Sequence, residues 1–344
     1  MPGPSGWHAW LSALWQRNPP SASARLLQPL SVLYGWLARA HRGLYSSGLR
    51  RRHKAARPVV VVGNLLAGGA GKTPAVIAMA QALQARGRVP GVVSRGYGRA
   101  GTGVMLVDRT SPADLVGDEP LLIHLRTGAA VAVGGDRVAA AARLCAARPD
   151  IDVILADDGL QHHRLARDVE VWVFDDRGVG NGLLLPAGPL RQRLPDSVPD
   201  GCLVLYSGGR RSTPLPGHLG QRRLHGLVAL QDWWSDPTAQ GEPLSAWRGR
   251  EVTAAAGLAR PEAFFAMLEG HGLRLRRLPM PDHASFATLP WPAEAIDVVV
   301  TEKDAVKLRP ERMAPTRVWV ARLDFELEPA FIAALSRMLP TRPS

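Results

Sequence analysis

The sequence predicts an α/β protein with a parallel sheet covered by helices on both faces, and three observations support this prediction. Short, continuously apolar runs such as VVVV at Val59–Val62 alternate with alanine-rich helical patterns. Continuous apolar runs are typical of strands that are buried on both faces. A glycine-rich stretch joins one run to a helical pattern, and acidic pairs follow two other runs, in IDVILADDG and VEVWVFDD. Such residues gather where the carboxyl ends of parallel strands meet.

The elements follow one another along the chain. We predict a helical element up to about residue 56, a buried strand in PVVVVGN, and a helix from Thr73 that stops at Gly87. VPGVVSRGYG is a second strand that leads into a glycine loop. AAVAVGGDR, IDVILADDG and VEVWVFDD supply further strands, and a helix over Arg137–Ala147 follows the first of these.

After about Gly226 the alternation of strands and helices starts again. REVTAAAGLARPEAFFAMLEGHG predicts a strand, a turn and a helix from near Pro261, AIDVVVTEKDAVK and TRVWVARL predict strands, and an amphipathic helix lies near the end. We therefore predict three parts, with boundaries at 1–57, 58–225 and 226–344. These are an N-terminal helical segment, a P-loop core and a smaller α/β domain.

Composition narrows the class of protein. The 344 residues are 46% hydrophobic, which excludes a disordered chain. The formal net charge of +12 indicates an anionic partner, which the charge alone leaves open among nucleic acid, an acidic membrane surface and a phosphorylated substrate. No run of eighteen apolar residues is present, so we expect no ordinary membrane-spanning helix.

The N-terminal segment combines tryptophan, apolar residues and arginine. Trp7, Trp10 and Trp15 recur at helical spacing with Leu11 and Leu14. The short apolar stretch LLQPLSVLYGWLA precedes a group of basic residues between positions 39 and 57. Two interpretations stand side by side. The segment is either an anchor at a membrane interface or a helix packed on the core with a solvated basic face.

The stretch GNLLAGGAGKT between a strand and a helix predicts a P-loop, although Leu66 stands where the strict motif has its first glycine. Backbone N–H groups of such a loop surround phosphate oxygens, and the following helix N-terminus adds a favourable dipole. Lys72 would neutralise the β- and γ-phosphates and Thr73 would bind Mg²⁺. The residues predicted to hold the phosphates are Gly68, Gly69, Ala70, Gly71, Lys72 and Thr73.

The sequence ADDG predicts the acidic partner of that loop, because an aspartate at the end of a neighbouring strand can hold Mg²⁺ directly or through water. Asp157 and Asp158 are the candidates. Side chains alternate along a strand, so we expect the two carboxylates to have different roles.

Taken together, the motifs resemble one family, the tetraacyldisaccharide 4′-kinases, also called lipid A 4′-kinases. The similarity spans about residues 59–307 and rests on GNLLAGGAGKTP, SRGYG, GDEP, ADDGLQHHRLARD, GNGLLLPAGPLR, AAAGLARPEAFF, PDHASF and TEKDAVK. The family also accepts a residue other than glycine at the position of Leu66. The resemblance implies transfer of the ATP γ-phosphate to the 4′-hydroxyl of a tetraacylated disaccharide 1-phosphate, at the cytoplasmic face of a bacterial inner membrane.

The resemblance also implies a catalytic pair. A carboxylate of the GDEP segment would pair with the histidine of PDHASF, and these residues are Asp118 and His283 here. A carboxylate beside an imidazole raises its basicity and fixes its tautomer, so the histidine can act as a general base. Glu119 would join the metal shell or act on Asp118. Weaker candidates are Arg95, Tyr97, His162, His163, Arg164, Arg191 and Arg193.

Two other functions share the same loop. A kinase for a soluble small molecule would work without lipid, and an ATPase switch would hydrolyse ATP without an acceptor. We expect no nucleic-acid partner, because the sequence has no recognised module of interleaved aromatic and basic residues. The expected ligands are therefore ATP, Mg²⁺, the acylated disaccharide and an anionic membrane surface.

Overall fold

The structure is a computed structural model, and it describes residues 10–341 except Ser12 and Ala70. The chain divides into two compact units. The first comprises Met1–Arg95, Asp136–Gln221 and Glu326–Ser344, and the second comprises Gly96–Gly135 and Arg222–Phe325.

This division differs from the continuous ranges that we predicted, because the chain passes between the units four times. Residues 96–135 belong with the C-terminal part of the chain, and the last helix returns to the first unit. That helix buries Phe331, whose ring lies 5.6 Å from the ring of His218. Sequence periodicity locates elements but not their partners, so it could not predict these returns.

The strands, in chain order, are β1 (Val59–Gly63), β2 (Pro90–Ser94), β3 (Met105–Val107), β4 (Ala130–Val133), β5 (Val153–Asp157), β6 (Val169–Phe174), β7 (Cys202–Tyr206), β8 (His218–Ala229), β9 (Glu251–Ala256), β10 (Arg274–Pro279), β11 (Asp297–Thr301) and β12 (Arg317–Leu327).

The α-helices for which both ends are defined are α1 (Ala22–Leu26), α2 (Gln28–Ser46), α3 (Lys72–Gln84), α4 (Ala113–Val116), α5 (Asp118–Thr127), α6 (Arg137–Ala147), α7 (Leu230–Ser235), α8 (Pro261–Gly270), α9 (Glu302–Ala305) and α10 (Pro329–Met338). Short 3₁₀ helices cover Leu244–Trp247 and Pro310–Arg312.

The first unit is built on a parallel sheet, as predicted. Its strands lie in the order β8-β7-β6-β1-β5-β2, and each neighbouring pair is parallel. All five residues of β1 are buried, which is why the sequence of this strand is continuously apolar. The register pairs Val62 with Asp157, so the carboxyl ends of β1 and β5 lie side by side.

The second unit is a smaller α/β structure. The strands β10-β9-β11-β12 form parallel pairs, while β3 and β4 are antiparallel. Its core contains the fully buried side chains of Trp247, Phe265 and Leu268, packed with Val299. Burial of such large apolar side chains is the main favourable contribution to folding.

The N-terminal segment has two different faces. Helix α2 is tied to the first unit by Ser31, whose hydroxyl donates to the carbonyl of Leu184 at 2.8 Å. Six large apolar side chains of α1 and α2 are nevertheless exposed: Leu26, Leu30, Val32, Leu33, Trp36 and Leu37. Trp7 lies outside the described residues. None of the helices within residues 10–341, Ser12 and Ala70 apart, has both the length and the apolar character to cross a bilayer.

Candidate active site

The glycine-rich loop leaves the end of β1 and enters α3, the context that the sequence predicts. The carboxamide of Asn64 closes the loop, since its Nδ2 donates to the carbonyl of Gly68 at 2.9 Å. Gly68 and Gly71 have φ values of +92° and +79°, and Gly71 is the N-cap of α3. A side chain would strain both positions. Ala70 lies outside the described residues.

Leu66 occupies the place of the strict motif's first glycine, and its side chain is only 1% exposed. Its backbone forms an antiparallel bridge with Leu190, and the N–H of Ala67 donates to the carbonyl of Pro189 at 2.8 Å. Contacts with a neighbouring chain segment and burial of Leu66 therefore fix this half of the loop. Neither of these interactions requires a glycine at position 66.

Lys72 is the first residue of α3, and Thr73 is the second. The Lys72 ammonium lies 3.3 Å from Oδ1 of Asn64 and 3.4 Å from Oδ1 of Asp158. Asp158 also lies 3.7 Å from the guanidinium of Arg191. The structure thus brings Lys72 and Asp158 together, and these charges neutralise each other in part.

Asp157 differs from Asp158 in burial and in partners. Asp157 is the last residue of β5 and is 2% exposed. Its carboxylate accepts a hydrogen bond from the hydroxyl of Ser94 at 3.2 Å. Asp158 is partly exposed and has a φ of +48°. The carboxylate of Asp157 and the hydroxyl of Thr73, at the start of α3, supply hard oxygen atoms of the kind that Mg²⁺ prefers.

A second cluster lies in the second unit and contains the predicted catalytic pair. Asp118 begins α5, and the residue is 5% exposed. Its two carboxylate oxygens lie 2.9 and 3.1 Å from Nδ1 of His283. An ionised carboxylate only accepts hydrogen bonds, so Nδ1 carries the proton and Nε2 is the basic nitrogen. His283 has a φ of +60°, a strained conformation for a residue with a side chain.

Burial and charge compete at this pair. Burial opposes ionisation of Asp118, but the hydrogen bond from His283 and the charge of Lys303 outweigh it and lower the pKa of Asp118. The hydrogen bond to Asp118 raises the pKa of His283, against burial and the charge of Lys303. The carboxylate is therefore ionised, and the imidazole is a stronger base than a free histidine.

Lys303 lies beside the basic nitrogen of that imidazole. Its Nζ is 3.4 Å from Nε2 of His283, 3.0 Å from Glu119 and 2.9 Å from Asp282. Burial opposes the charge of the lysine, but Glu119, Asp118 and Asp282 raise its pKa, so Lys303 is charged. Glu119 was predicted to join the metal shell or to act on Asp118, and in the structure its carboxylate pairs with this lysine.

The TEKD segment makes mainly long-range ion pairs. Glu302 accepts two hydrogen bonds of 2.6 Å from buried Arg126, and Trp233 donates to Glu302 at 3.2 Å. Arg126 also pairs with Asp324. These bonds join α5, α7, α9 and β12 in one buried network.

Buried Asp304 makes a second set of hydrogen bonds from the TEKD segment. Its carboxylate accepts from the backbone N–H of Gly257 at 2.9 Å and from the hydroxyl of Thr301 at 2.8 Å, and it pairs with Lys307 at 3.0 Å. A Cβ at residue 257 would lie 2.7 Å from this carboxylate, which explains the glycine in AAAGLARPEAFF.

The weaker candidates lie in different surroundings. Burial, aided by nearby arginines, lowers the pKa of both His162 and His163 to about 4, so both are neutral at pH 7. Arg164 forms an exposed ion pair with Asp136. The ring of Tyr97 lies 5.2 Å from the ring of His283, which places this tyrosine in the second cluster.

Sequence reasoning missed three residues of the first unit. Asn64 contacts Lys72, Ser94 contacts Asp157, and Arg177 donates to the carbonyl of Gly69. Asn64 directly follows the β1 strand and Ser94 ends β2, so position at a strand end was a usable signal for both. Arg177 follows β6 but carried no motif.

A parallel sheet, a glycine-rich loop that leads into a Lys-Thr helix start, and an acid at the end of the adjacent strand define a class of α/β proteins that bind nucleotide phosphates and include kinases and ATPases. Within this class, the chain belongs to the tetraacyldisaccharide-1-P 4′-kinase family, LpxK, whose family model matches residues 23–340.

Individual relatives agree with this membership. A tetraacyldisaccharide 4′-kinase of Methylibium petroleiphilum is 56% identical over 338 residues, which cover 96% of this chain and 93% of the relative. Another from Leptothrix cholodnii is 49% identical and covers 92% of each chain. The fold is similar to a crystal structure of LpxK from Aquifex aeolicus in complex with ATP, with a TM-score of 0.75, 25% identity, and 92% of this chain and 99% of that chain covered.

Proposed function

We propose that this chain transfers the γ-phosphate of ATP to the 4′-hydroxyl of tetraacyldisaccharide 1-phosphate, a step of lipid A biosynthesis. Family membership and relatives with this named activity support the reaction. The observation that carries the chemistry is the hydrogen bond between Asp118 and Nδ1 of His283, because it fixes the proton on Nδ1 and makes Nε2 the nitrogen that can accept another.

In the proposed reaction, every bond that forms is matched by a bond that breaks, and the proton has an acceptor. The 4′-oxygen of the acceptor attacks the γ-phosphorus while the bond from that phosphorus to the β,γ-bridging oxygen breaks, and ADP leaves. The hydroxyl proton passes to Nε2 of His283, and Asp118 stabilises the imidazolium that forms. Lys303, charged and next to Nε2, is displaced from that nitrogen when the hydroxyl takes its place.

The phosphates are assigned to the glycine-rich loop. Phosphoryl transfer depends mainly on alignment and on neutralisation of charge. We assign the phosphate contacts to the backbone of Gly68–Gly71 and to the ammonium of Lys72. The ammonium donates a hydrogen bond to Oδ1 of Asn64 at 3.3 Å, and this bond orients the lysine side chain.

The oxygen groups in the first unit fit Mg²⁺. We assign the ion to Thr73 and Asp157, with Asp158 as a further ligand, whereas Glu119, which was also predicted as a ligand, lies in the second unit. Asp157 is the better carboxylate, because Asp158 is already paired with Lys72 and Glu119 with Lys303. When bound, Mg²⁺ supplies positive charge that neutralises the phosphate oxygens during transfer.

The exposed apolar face of α2 supports work at a membrane. A soluble protein rarely exposes several large apolar side chains on one helix, and the basic residues that follow it suit anionic lipid headgroups. Leu30, Leu33 and Leu37 are each more than half exposed at helical spacing. We therefore propose the cytoplasmic face of the bacterial inner membrane as the site of action, with no nucleic-acid partner.

The test is transfer from γ-labelled ATP to tetraacyldisaccharide 1-phosphate in detergent micelles. Wild type is compared with His283→Ala and with His271→Ala, a control at an exposed histidine. We expect labelled lipid from wild type and from the control, and near loss of it from His283→Ala.

Other outcomes point to other functions. Label that appears only as free phosphate, at equal rates in all three proteins, favours an ATPase switch. Equal transfer to a deacylated disaccharide in the absence of detergent favours a kinase for a soluble acceptor. Either result contradicts the proposed reaction.

A further inference from the structure

The segment Leu183–Arg191, which we call the strap, pairs with the first half of the glycine-rich loop. The N–H of Arg191 donates to the carbonyl of Leu65 at 2.7 Å, and the N–H of Ala67 donates to the carbonyl of Pro189 at 2.8 Å. The bridge between Leu66 and Leu190 lies between these two bonds. Three consecutive loop residues thus form a short antiparallel ladder with the strap.

The strap is folded on itself. The N–H of Leu190 donates to the carbonyl of Leu183 at 3.1 Å, and the N–H of Leu185 donates to the carbonyl of Leu190 at 2.9 Å. Buried Asn181 braces it, because its Nδ2 donates to the carbonyl of Ala187 at 2.9 Å and its Oδ1 accepts from Leu183 at 3.1 Å. These bonds tie the two ends of the strap to each other and to Asn181.

Helix α2 is also hydrogen-bonded to the strap. The buried hydroxyl of Ser31 donates to the carbonyl of Leu184 at 2.8 Å and accepts from the N–H of Ala187 at 3.0 Å. The hydroxyl of Tyr34 donates to the carbonyl of Arg191 at 3.2 Å. One face of α2 is therefore bonded to the segment that is itself bonded to the phosphate loop.

We propose that the strap positions the phosphate loop for ATP, with Ser31 as a positioning residue that fixes the strap on α2. This inference rests on the proposed function, because it takes ATP as the ligand of the loop. It gives a role to the GNGLLLPAGPLR motif. The strap holds the half of the loop that contains Leu66, where a strict P-loop relies on glycine.

Ser31→Ala tests this role, and Ser46→Ala on the same helix is its matched control. Ser46 is exposed and bonds to Gly43 within the helix, at 3.2 Å. Loss of the Ser31 hydroxyl leaves a strap carbonyl and a strap N–H without this partner. We expect Ser31→Ala in detergent micelles to bind ATP about fivefold more weakly or worse, and Ser46→Ala to bind like wild type.

The kinetic readout separates positioning from stability. We expect Ser31→Ala to raise the KM for ATP by about the same factor, while the KM for the lipid acceptor stays within about twofold of wild type. A lower melting temperature with unchanged ATP affinity and unchanged KM for ATP overturns the proposal, because it means that Ser31 only stabilises the fold.

A second variant tests the loop side of the strap. Leu66→Gly restores the strict P-loop sequence, while Leu66→Met keeps the buried volume and serves as its control. If the strap and the buried leucine position the loop, Leu66→Gly binds ATP more weakly than Leu66→Met at temperatures where both are folded. Equal or tighter binding by Leu66→Gly overturns the proposal.

Failure of the proposed function gives a different result. A wild-type chain that does not bind ATP, or a Lys72→Ala variant that binds it as well as wild type, refutes the phosphate-loop assignment itself. Normal ATP binding by wild type, weak binding by Lys72→Ala and identical behaviour of Ser31→Ala and Ser46→Ala refute only the strap.

Discussion

Asp118 and His283 are 165 residues apart in sequence, yet a carboxylate oxygen of Asp118 lies 2.9 Å from Nδ1 of His283. The contact raises the pKa of the imidazole above its ordinary value of 6.5. A protonated imidazole cannot accept a proton, so a histidine that acts as base works only above its own pKa. The pair therefore makes a stronger base but moves its working range to higher pH.

The pH dependence follows from this sign. We predict that the acid limb of kcat/KM lies above pH 6.5 for wild type and moves to lower pH in Asp118→Asn, because the neutral amide no longer stabilises the imidazolium. Asp282 raises the same pKa as a lesser cause, so Asp282→Asn should give a smaller shift in the same direction. A pH–rate profile measures all three. An acid limb at the same pH in wild type and Asp118→Asn would contradict the role of the pair.

Lys72→Ala should lower turnover by about 10²-fold or more, because we assign to this lysine the neutralisation of the phosphates. The fold should survive, since the ammonium lies next to a partly exposed carboxylate rather than in the core. Arg86→Ala, an exposed cation just beyond α3, is the control and should keep full activity. Initial rates and thermal melting measure both effects. Near-normal activity in folded Lys72→Ala would rule out the phosphate-loop assignment.

Trp36→Ser combined with Leu37→Ser should weaken sedimentation with anionic vesicles, because these side chains are 69% and 62% exposed on the apolar face of α2. The loss of apolar burial predicts at least a tenfold fall in partitioning. Ile296→Ser is the control, since Ile296 is 68% exposed in the second unit. Equal sedimentation of the double variant and wild type would move the lipid contact elsewhere on the chain.

Arg126→Met should destabilise the second unit by about 3–5 kcal/mol, because it leaves buried Glu302 without its guanidinium partner. Replacing both residues, Arg126→Met with Glu302→Leu, should recover part of the loss, since no buried carboxylate then remains at residue 302. Chemical denaturation followed by tryptophan fluorescence measures the free energy of unfolding. A single variant as stable as wild type would show that the network contributes little.

Sequence patterns predicted candidate side chains at the ends of two strands that the structure places next to each other. Lys72 starts the helix after β1 and Asp157 ends β5, and the apolar patterns predict that both strands are buried and parallel, while their register is seen only in the structure. Asp118 and His283 came only from the family resemblance, because no local pattern links two loops that far apart. The partners of Lys303 were not predicted for the same reason.

The N-terminal helix shows another limit of sequence reasoning. We posed membrane contact and packing on the core as alternatives, but α2 bonds to the first unit through Ser31 and also exposes apolar Trp36. Periodicity separates apolar from polar positions, and a serine on the buried face reads as polar. The boundaries of the two units could not be predicted from the sequence either, because they depend on which strands pair with each other.

Left-handed backbone occurs at two residues with side chains in the described part of the chain, Asp158 in the first candidate cluster and His283 in the second. Each conformation costs the folded state on the order of 1 kcal/mol, a cost that glycine would avoid. Selection for thermal stability alone would therefore favour glycine at both positions, whereas the roles proposed for the carboxylate and the imidazole would select for the residues that are present. A stabilised variant obtained by consensus design or by screening for thermal stability would therefore be expected to lose activity if it carried glycine at either of these two positions.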